Sequence, residues 1–69
     1  MEKFAARIKL LRESRGLTQD ALGQIIGVKR YSVYAYEKAK AYPDVSHLIA
    51  LADYFEVSTD YLLGRSDQK

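Results

Sequence analysis

Residues 18–37 read TQDALGQIIGVKRYSVYAYE, and the reading of this stretch decides the fold. Its first half has the marks of a short amphipathic helix. Thr18 is a good N-cap, because its hydroxyl can accept a backbone N–H of the first turn. Asp20 places negative charge where the helix dipole favours it. A full capping box would need Glu or Gln at the position of Ala21. Leu22, Ile25 and Ile26 recur at helical spacing and supply a buried side. Gly23 costs about 1 kcal/mol relative to Ala inside a helix, a cost that close approach of a neighbouring helix would offset. Gly27 ends the element. The second half is ambiguous. YSVYAY, residues 31–36, is rich in β-formers and could be a strand. No second strand candidate exists to pair with it, and a lone strand is not stable. Read as a helix, it puts Val33 and Tyr36 on one side and Arg30, Tyr31 and Tyr34 mostly on others. The stretch is therefore taken as two short helices with a turn at Gly27-Val28.

Working outward, Phe4, Ile8 and Leu11 with Ala5 nearby define one face of a helix over residues 3–15. Gly16 is its natural stop. On the other side, KAKAYP (38–43) is a loop closed by the only proline. Asp44 then caps a helix with Val45, Leu48, Leu51, Ala52 and Phe55 inward. Ser58 caps a last short helix carrying Tyr61, Leu62 and Leu63, which Gly64 stops. The polar tail 65–69 is expected to fray. The sum is an all-α chain of five helices, with one domain over residues 1–64.

The 69 residues allow one domain with a marginal core, and no cysteine is present to staple it. Self-association would help such a core. The absence of cysteine removes a disulfide framework and thiolate zinc sites. No apolar run approaches the roughly 18 residues of a membrane span, and the charged start MEKFAARIK does not fit a signal peptide. A soluble cytoplasmic protein is expected. The net charge of +2 is unevenly spread. Lys3 to Arg15 holds five basic residues against Glu13, and Lys29 to Lys40 holds four against Glu37. From Tyr42 onward there are five acids against Arg65 and Lys69. A basic front and an acidic back suit a polyanion on one face.

Two short helices joined by a brief turn with glycine are the geometry of a DNA-reading helix-turn-helix. That geometry needs a small residue where the helices nearly touch (Gly23), a turn glycine (Gly27) and an apolar anchor on the second helix (Val33). On spacing alone a plain helical hairpin inside a bundle fits equally well. Wider sequence favours the first. RIKLLRESRGLTQDALGQIIGV, Tyr36-Glu37 and ADYFEVSTDYLLG (52–64) resemble the Cro/C1-type (XRE) helix-turn-helix family over about residues 4–64. The resemblance implies a compact five-helix, lambda-repressor-like domain with its helix-turn-helix at about 18–37. It also implies use in transcriptional repressors that are often dimeric.

Specific roles follow from matching positions. Gln19 matches a residue that touches the DNA backbone and supports a base-reading side chain. Arg30 and Tyr31 match base-contacting positions; Arg can bond guanine O6 and N7 bidentately. Ser32 and Tyr34 can reach backbone or base edges. Lys38 and Lys40 lie where the family clamps phosphates. Arg12 and Glu37 match an ion pair tying the first helix to the reading helix. Three positions depart from the pattern. Lys29 replaces a small capping residue and puts a cation at a helix N-terminus, which is tolerable beside a phosphate. Ala35 replaces a long polar reader and can offer only an apolar contact. Ala39 replaces a glycine. It is strained if the loop needs positive φ there, and otherwise extends the helix.

Catalysis has no candidate in the sequence. His47 is the only histidine and lacks a catalytic partner, and no phosphate-binding glycine loop or metal spacing occurs. No cofactor or small-molecule substrate is expected. Two functions compete. One is a sequence-specific regulator, a repressor reading a palindromic operator in double-stranded DNA as a homodimer. The other is a protein-interaction module of the same fold, such as an antitoxin-like or anti-repressor subunit.

Overall fold

The computed structural model describes residues 2–69 and contains α1 (Glu2–Ser14), α2 (Gln19–Ile26), α3 (Arg30–Glu37), α4 (Val45–Phe55) and α5 (Thr59–Leu62), with no strand among the described residues. The β-rich run 31–36 is helical throughout. Its burial pattern supplies the reason: Val33 and Tyr36 are both buried, a spacing of three that a helix places on one side.

Every helix contributes to one core. Phe4 and Ile8 from α1, Leu22 from α2, Val33 from α3, Leu51 from α4 and Leu62 from α5 are all fully buried. Each such side chain contributes roughly 1.5–3 kcal/mol by leaving water. Phe4 also meets the rings of Tyr36 and Tyr42 at centroid distances of 6.1 and 5.2 Å. Two residues expected inside are on the surface. Ile25 is 45% exposed, because α2 turns only Leu22, Gly23 and Ile26 inward. Val45 is 73% exposed; the buried positions of α4 all lie in its second half.

The helices start and stop by shared devices. Thr18, Asp44 and Ser58 accept backbone N–H groups from Ala21, His47 and Tyr61 at 2.9–3.0 Å. At the other ends, the chain turns through a left-handed residue in every case: Gly16, Gly27, Ala39, Glu56 and Gly64. Beyond each, a backbone N–H reaches back to a carbonyl in the last turn, as in Leu17 to Arg12, Lys40 to Ala35 and Val57 to Ala52. This closure satisfies carbonyls that the helix leaves open. It also answers the question at Ala39, whose φ is +58° and which ends α3 rather than extending it.

The tail is not frayed. Arg7 of α1 donates to the carbonyl oxygens of Tyr61 and Ser66 and to Asp67 Oδ1, the last two at 2.8 Å. The Ser58 N–H donates to the Lys69 carbonyl at 2.8 Å. Three acceptors around one guanidinium hold the polar segment against α1 and α5, an arrangement that composition does not reveal.

Candidate nucleic-acid interface

The geometry of the site begins at Gly23. A Cβ there would lie 2.6 Å from the Val28 carbonyl oxygen. The small residue is thus required by the backbone of the turn that follows, not by a neighbouring helix as the spacing suggested. Both Gly27 and Val28 donate their N–H groups to the Gly23 carbonyl at 2.8 Å. This tight turn sets the angle at which α3 leaves α2.

Helix α3 starts without a side-chain cap, because Lys29 stands at the N-cap and makes no capping bond. Within its first turn the Ser32 N–H donates to the Lys29 carbonyl at 3.0 Å, and a helix start with no side-chain cap favours an anion. Lys29 and Arg30 are exposed there, and Tyr31 is 71% exposed. Tyr34, half-buried one turn on, meets the Tyr31 ring at a centroid distance of 6.0 Å. Ser32 is half-buried. Ala35 is buried, so it offers no surface, not even the apolar contact expected of it. The left-handed turn at Ala39 reverses the chain and brings Lys38 and Lys40 to 5.9 and 5.7 Å from the Tyr34 ring. Cations at this range are attracted to the ring face.

Beneath this surface lies an ion pair. Arg12 Nε and Nη2 donate to the two carboxylate oxygens of Glu37 at 2.6 and 3.0 Å. Arg12 Nη1 donates to the Leu17 carbonyl at 2.7 Å. Gln19 Nε2 donates to Glu37 Oε1 at 3.1 Å. Glu37 therefore links α1, α2 and α3, with a side chain only 3% exposed. The Arg12 guanidinium is held above its ordinary pKa, chiefly by the hydrogen bond to Glu37. Gln19 is thereby fixed from within at the start of α2.

An open cleft of about 480 Å³ runs above this pair. One wall is Lys9 and Glu13 of α1; the other is Arg30, Tyr34 and Lys38. Lys9 was missed in the sequence. Its signal was there, since it lies one helical turn before Arg12 and shares its side of α1. His47 takes no part: its backbone N–H and a ring nitrogen both approach Asp44 Oδ1, at 2.9 and 2.8 Å, in the cap of α4. No group of three or more His, Cys, Asp or Glu able to hold a metal occurs among the described residues. Among the described residues no helix is long and apolar enough to cross a membrane.

Comparison with known proteins agrees with this architecture. A family model described as helix-turn-helix matches residues 8–62. The chain is 34% identical over 64 residues to the HTH-type transcriptional regulator YobD of Bacillus subtilis, covering 93% of this chain and 57% of that one. It spans a little over half the length of such curated relatives. Among solved structures it is similar to the c2 repressor of Salmonella phage P22 in complex with the synthetic operator 9T, with a TM-score of 0.84 and 29% identity over 90% of this chain and 94% of that one. It is also similar to the restriction-modification controller protein C.AhdI of Aeromonas hydrophila, with a TM-score of 0.77 and 26% identity over 88% and 92% of the two chains. With five helices, a glycine-bound turn and a family match over most of its length, the chain belongs to the helix-turn-helix family of the Cro/C1 (XRE) type.

Proposed function

We propose that this chain is a sequence-specific double-stranded DNA-binding domain of a cytoplasmic transcriptional regulator, acting as a repressor. The observation that carries the reading is α3 itself. It is held rigidly by Gly23 and the Arg12–Glu37 pair, and it presents Lys29, Arg30 and Tyr31 outward at an uncapped N-terminus. A helix presented in this way fits the major groove, which is wide enough to admit it. The likeness to a repressor solved on operator DNA supports the same orientation.

In this reading Arg30 and Tyr31 face base edges, while Ser32 and Tyr34 reach base or backbone. Gln19, Lys29, Lys38 and Lys40 hold phosphates. Arg12 and Glu37 do not touch DNA; they fix the angle of the reader. The chain acts as a homodimer on a palindromic site, with half-sites one helical turn, about 34 Å, apart. The exposed pair Val45 and Ile49, one turn apart on α4, offers an apolar surface for that contact.

Selection of bound sequences from a random duplex pool tests the reading. The expected result is a palindrome, bound with an affinity that falls as salt rises. A stoichiometric protein partner together with no duplex binding at low salt would select the protein-interaction function instead.

A further inference from the structure

We propose that the ring of Tyr34 is a positioning element of α3: it fixes the Tyr31 side chain before DNA arrives and gathers Lys38 and Lys40 beside it. The inference rests on the DNA-binding reading and adds to it a reason why Tyr31 can discriminate between bases. Tyr31 is 71% exposed, and a side chain so open to water is free to exchange rotamers. A reader fixed only on contact with a base loses that freedom at the moment of binding, at the expense of affinity. Tyr34 lies three residues further on, the spacing that makes helix neighbours. It is half-buried, and so is itself held by the fold. The two ring centroids are 6.0 Å apart and the planes are tilted by 34°. That falls within the range of about 4.5–7 Å at which aromatic rings attract each other.

The same ring serves the loop. Lys38 Nζ and Lys40 Nζ stand 5.9 and 5.7 Å from its centroid, inside the limit of about 6 Å for attraction between a cation and a ring. Lys40 comes within reach because the chain folds back through Ala39, and its own N–H donates to the Ala35 carbonyl at 2.9 Å. Neither lysine forms an ion pair with a described residue. The electron-rich ring is therefore the partner that restrains their charged ends. One anchored ring is shared by a base reader and two phosphate holders. Loss of its hydroxyl leaves these contacts in place, whereas loss of its aromatic face ends all three.

The test compares Tyr34→Phe and Tyr34→Leu with wild type and with Tyr31→Ala, each checked for its fold by circular dichroism. Every protein is titrated with the duplex that wild type selects from a random pool. It is then titrated with that duplex changed at one base pair, each position in turn. Tyr34→Leu is expected to lower the preference at one base-pair position by about two- to tenfold, the range of one aromatic pair. Tyr34→Phe should keep that preference, whatever the hydroxyl adds to overall affinity. In the double variant with Tyr31→Ala, Tyr34→Leu should lower the preference no further, because it acts through Tyr31. The positioning role is overturned if Tyr34→Leu leaves every preference unchanged, weakens all duplexes alike, or adds its effect to that of Tyr31→Ala. An equal loss of preference in Tyr34→Phe also overturns it. If wild type binds no duplex even at low salt, the DNA-binding reading fails separately. In that case, or if Tyr34→Leu does not fold, nuclear magnetic resonance of free wild type decides the ring cluster. A single Tyr31 χ1 rotamer with upfield-shifted ε-methylene protons on Lys38 and Lys40 supports it; an averaged rotamer or unshifted protons overturn it.

Discussion

Ala39 and Glu56 are the residues most at odds with their own backbone. Both hold φ near +57° at the ends of α3 and α4, where the other three helices use glycine. A side chain in this conformation costs roughly 1–2 kcal/mol, partly offset by the 0.5–1 kcal/mol of freedom that glycine loses on folding. Ala39→Gly and Glu56→Gly should each raise stability by about 0.5–1 kcal/mol, seen as a higher urea midpoint at unchanged m. The two differ in legibility. Ala39 stood out because the resembling family has glycine there. Glu56 carried no such sign: its conformation is imposed when the N–H of Val57 bonds back to Ala52, a contact that composition does not encode. Ala35 failed for a related reason. Its side chain is buried in the fold, and a helical position alone does not say which neighbours will cover a methyl group.

At the scale of elements, the caps and the helix pair were readable and the widths of the buried faces were not. Thr18, Asp44 and Ser58 act through the three residues beside them, so local sequence suffices. Ile25 and Val45 depend on how far a neighbouring helix reaches, which periodicity leaves open. The start of α4 adds a pH dependence. Asp44 is held below its ordinary pKa, first by the His47 backbone N–H and then by the Ser46 hydroxyl. A depressed carboxylate stabilises the fold above its unfolded pKa of about 3.9 and loses that contribution as pH falls through the folded value. Asp44→Asn keeps a capping oxygen and removes the titration, so acid unfolding followed by circular dichroism should be less steep in the variant. The turn between α2 and α3 gives a second element-level expectation. Gly23→Ala drives a methyl against the Val28 carbonyl, and the displaced turn should cost about 2 kcal/mol despite the better helix propensity. Thermal unfolding measures that loss. Duplex affinity should fall further than the lost stability explains, because the direction of α3 changes with the turn.

For the whole molecule, the division of labour is by face. The α1–α3 side carries unpaired cations, and the α4 side carries exposed Val45 and Ile49. Ile49→Asp removes apolar surface from a half-exposed position, so monomer stability should change by no more than about 0.5 kcal/mol. If two copies pair through this face as proposed, sedimentation should nevertheless show a weaker dimer, and binding to a palindrome should lose cooperativity while binding to a half-site persists. A variant that dimerises as before would place the two-fold contact elsewhere. The least legible feature at this scale is the tail, because its order depends on Arg7 meeting acceptors more than fifty residues away. The five-helix order and the centre of the core were the most legible, since Phe4, Ile8, Leu22, Val33, Leu51 and Leu62 stand at helical spacing in their own helices.

The carboxylate of Glu37 accepts hydrogen bonds from α1 and α2 while standing on the last residue of α3. During synthesis, Arg12 and Gln19 therefore leave the ribosome before their common partner exists. A nascent chain that stops short of residue 37 has the turn at Gly23 but lacks the carboxylate that ties α3 back to α1 and α2.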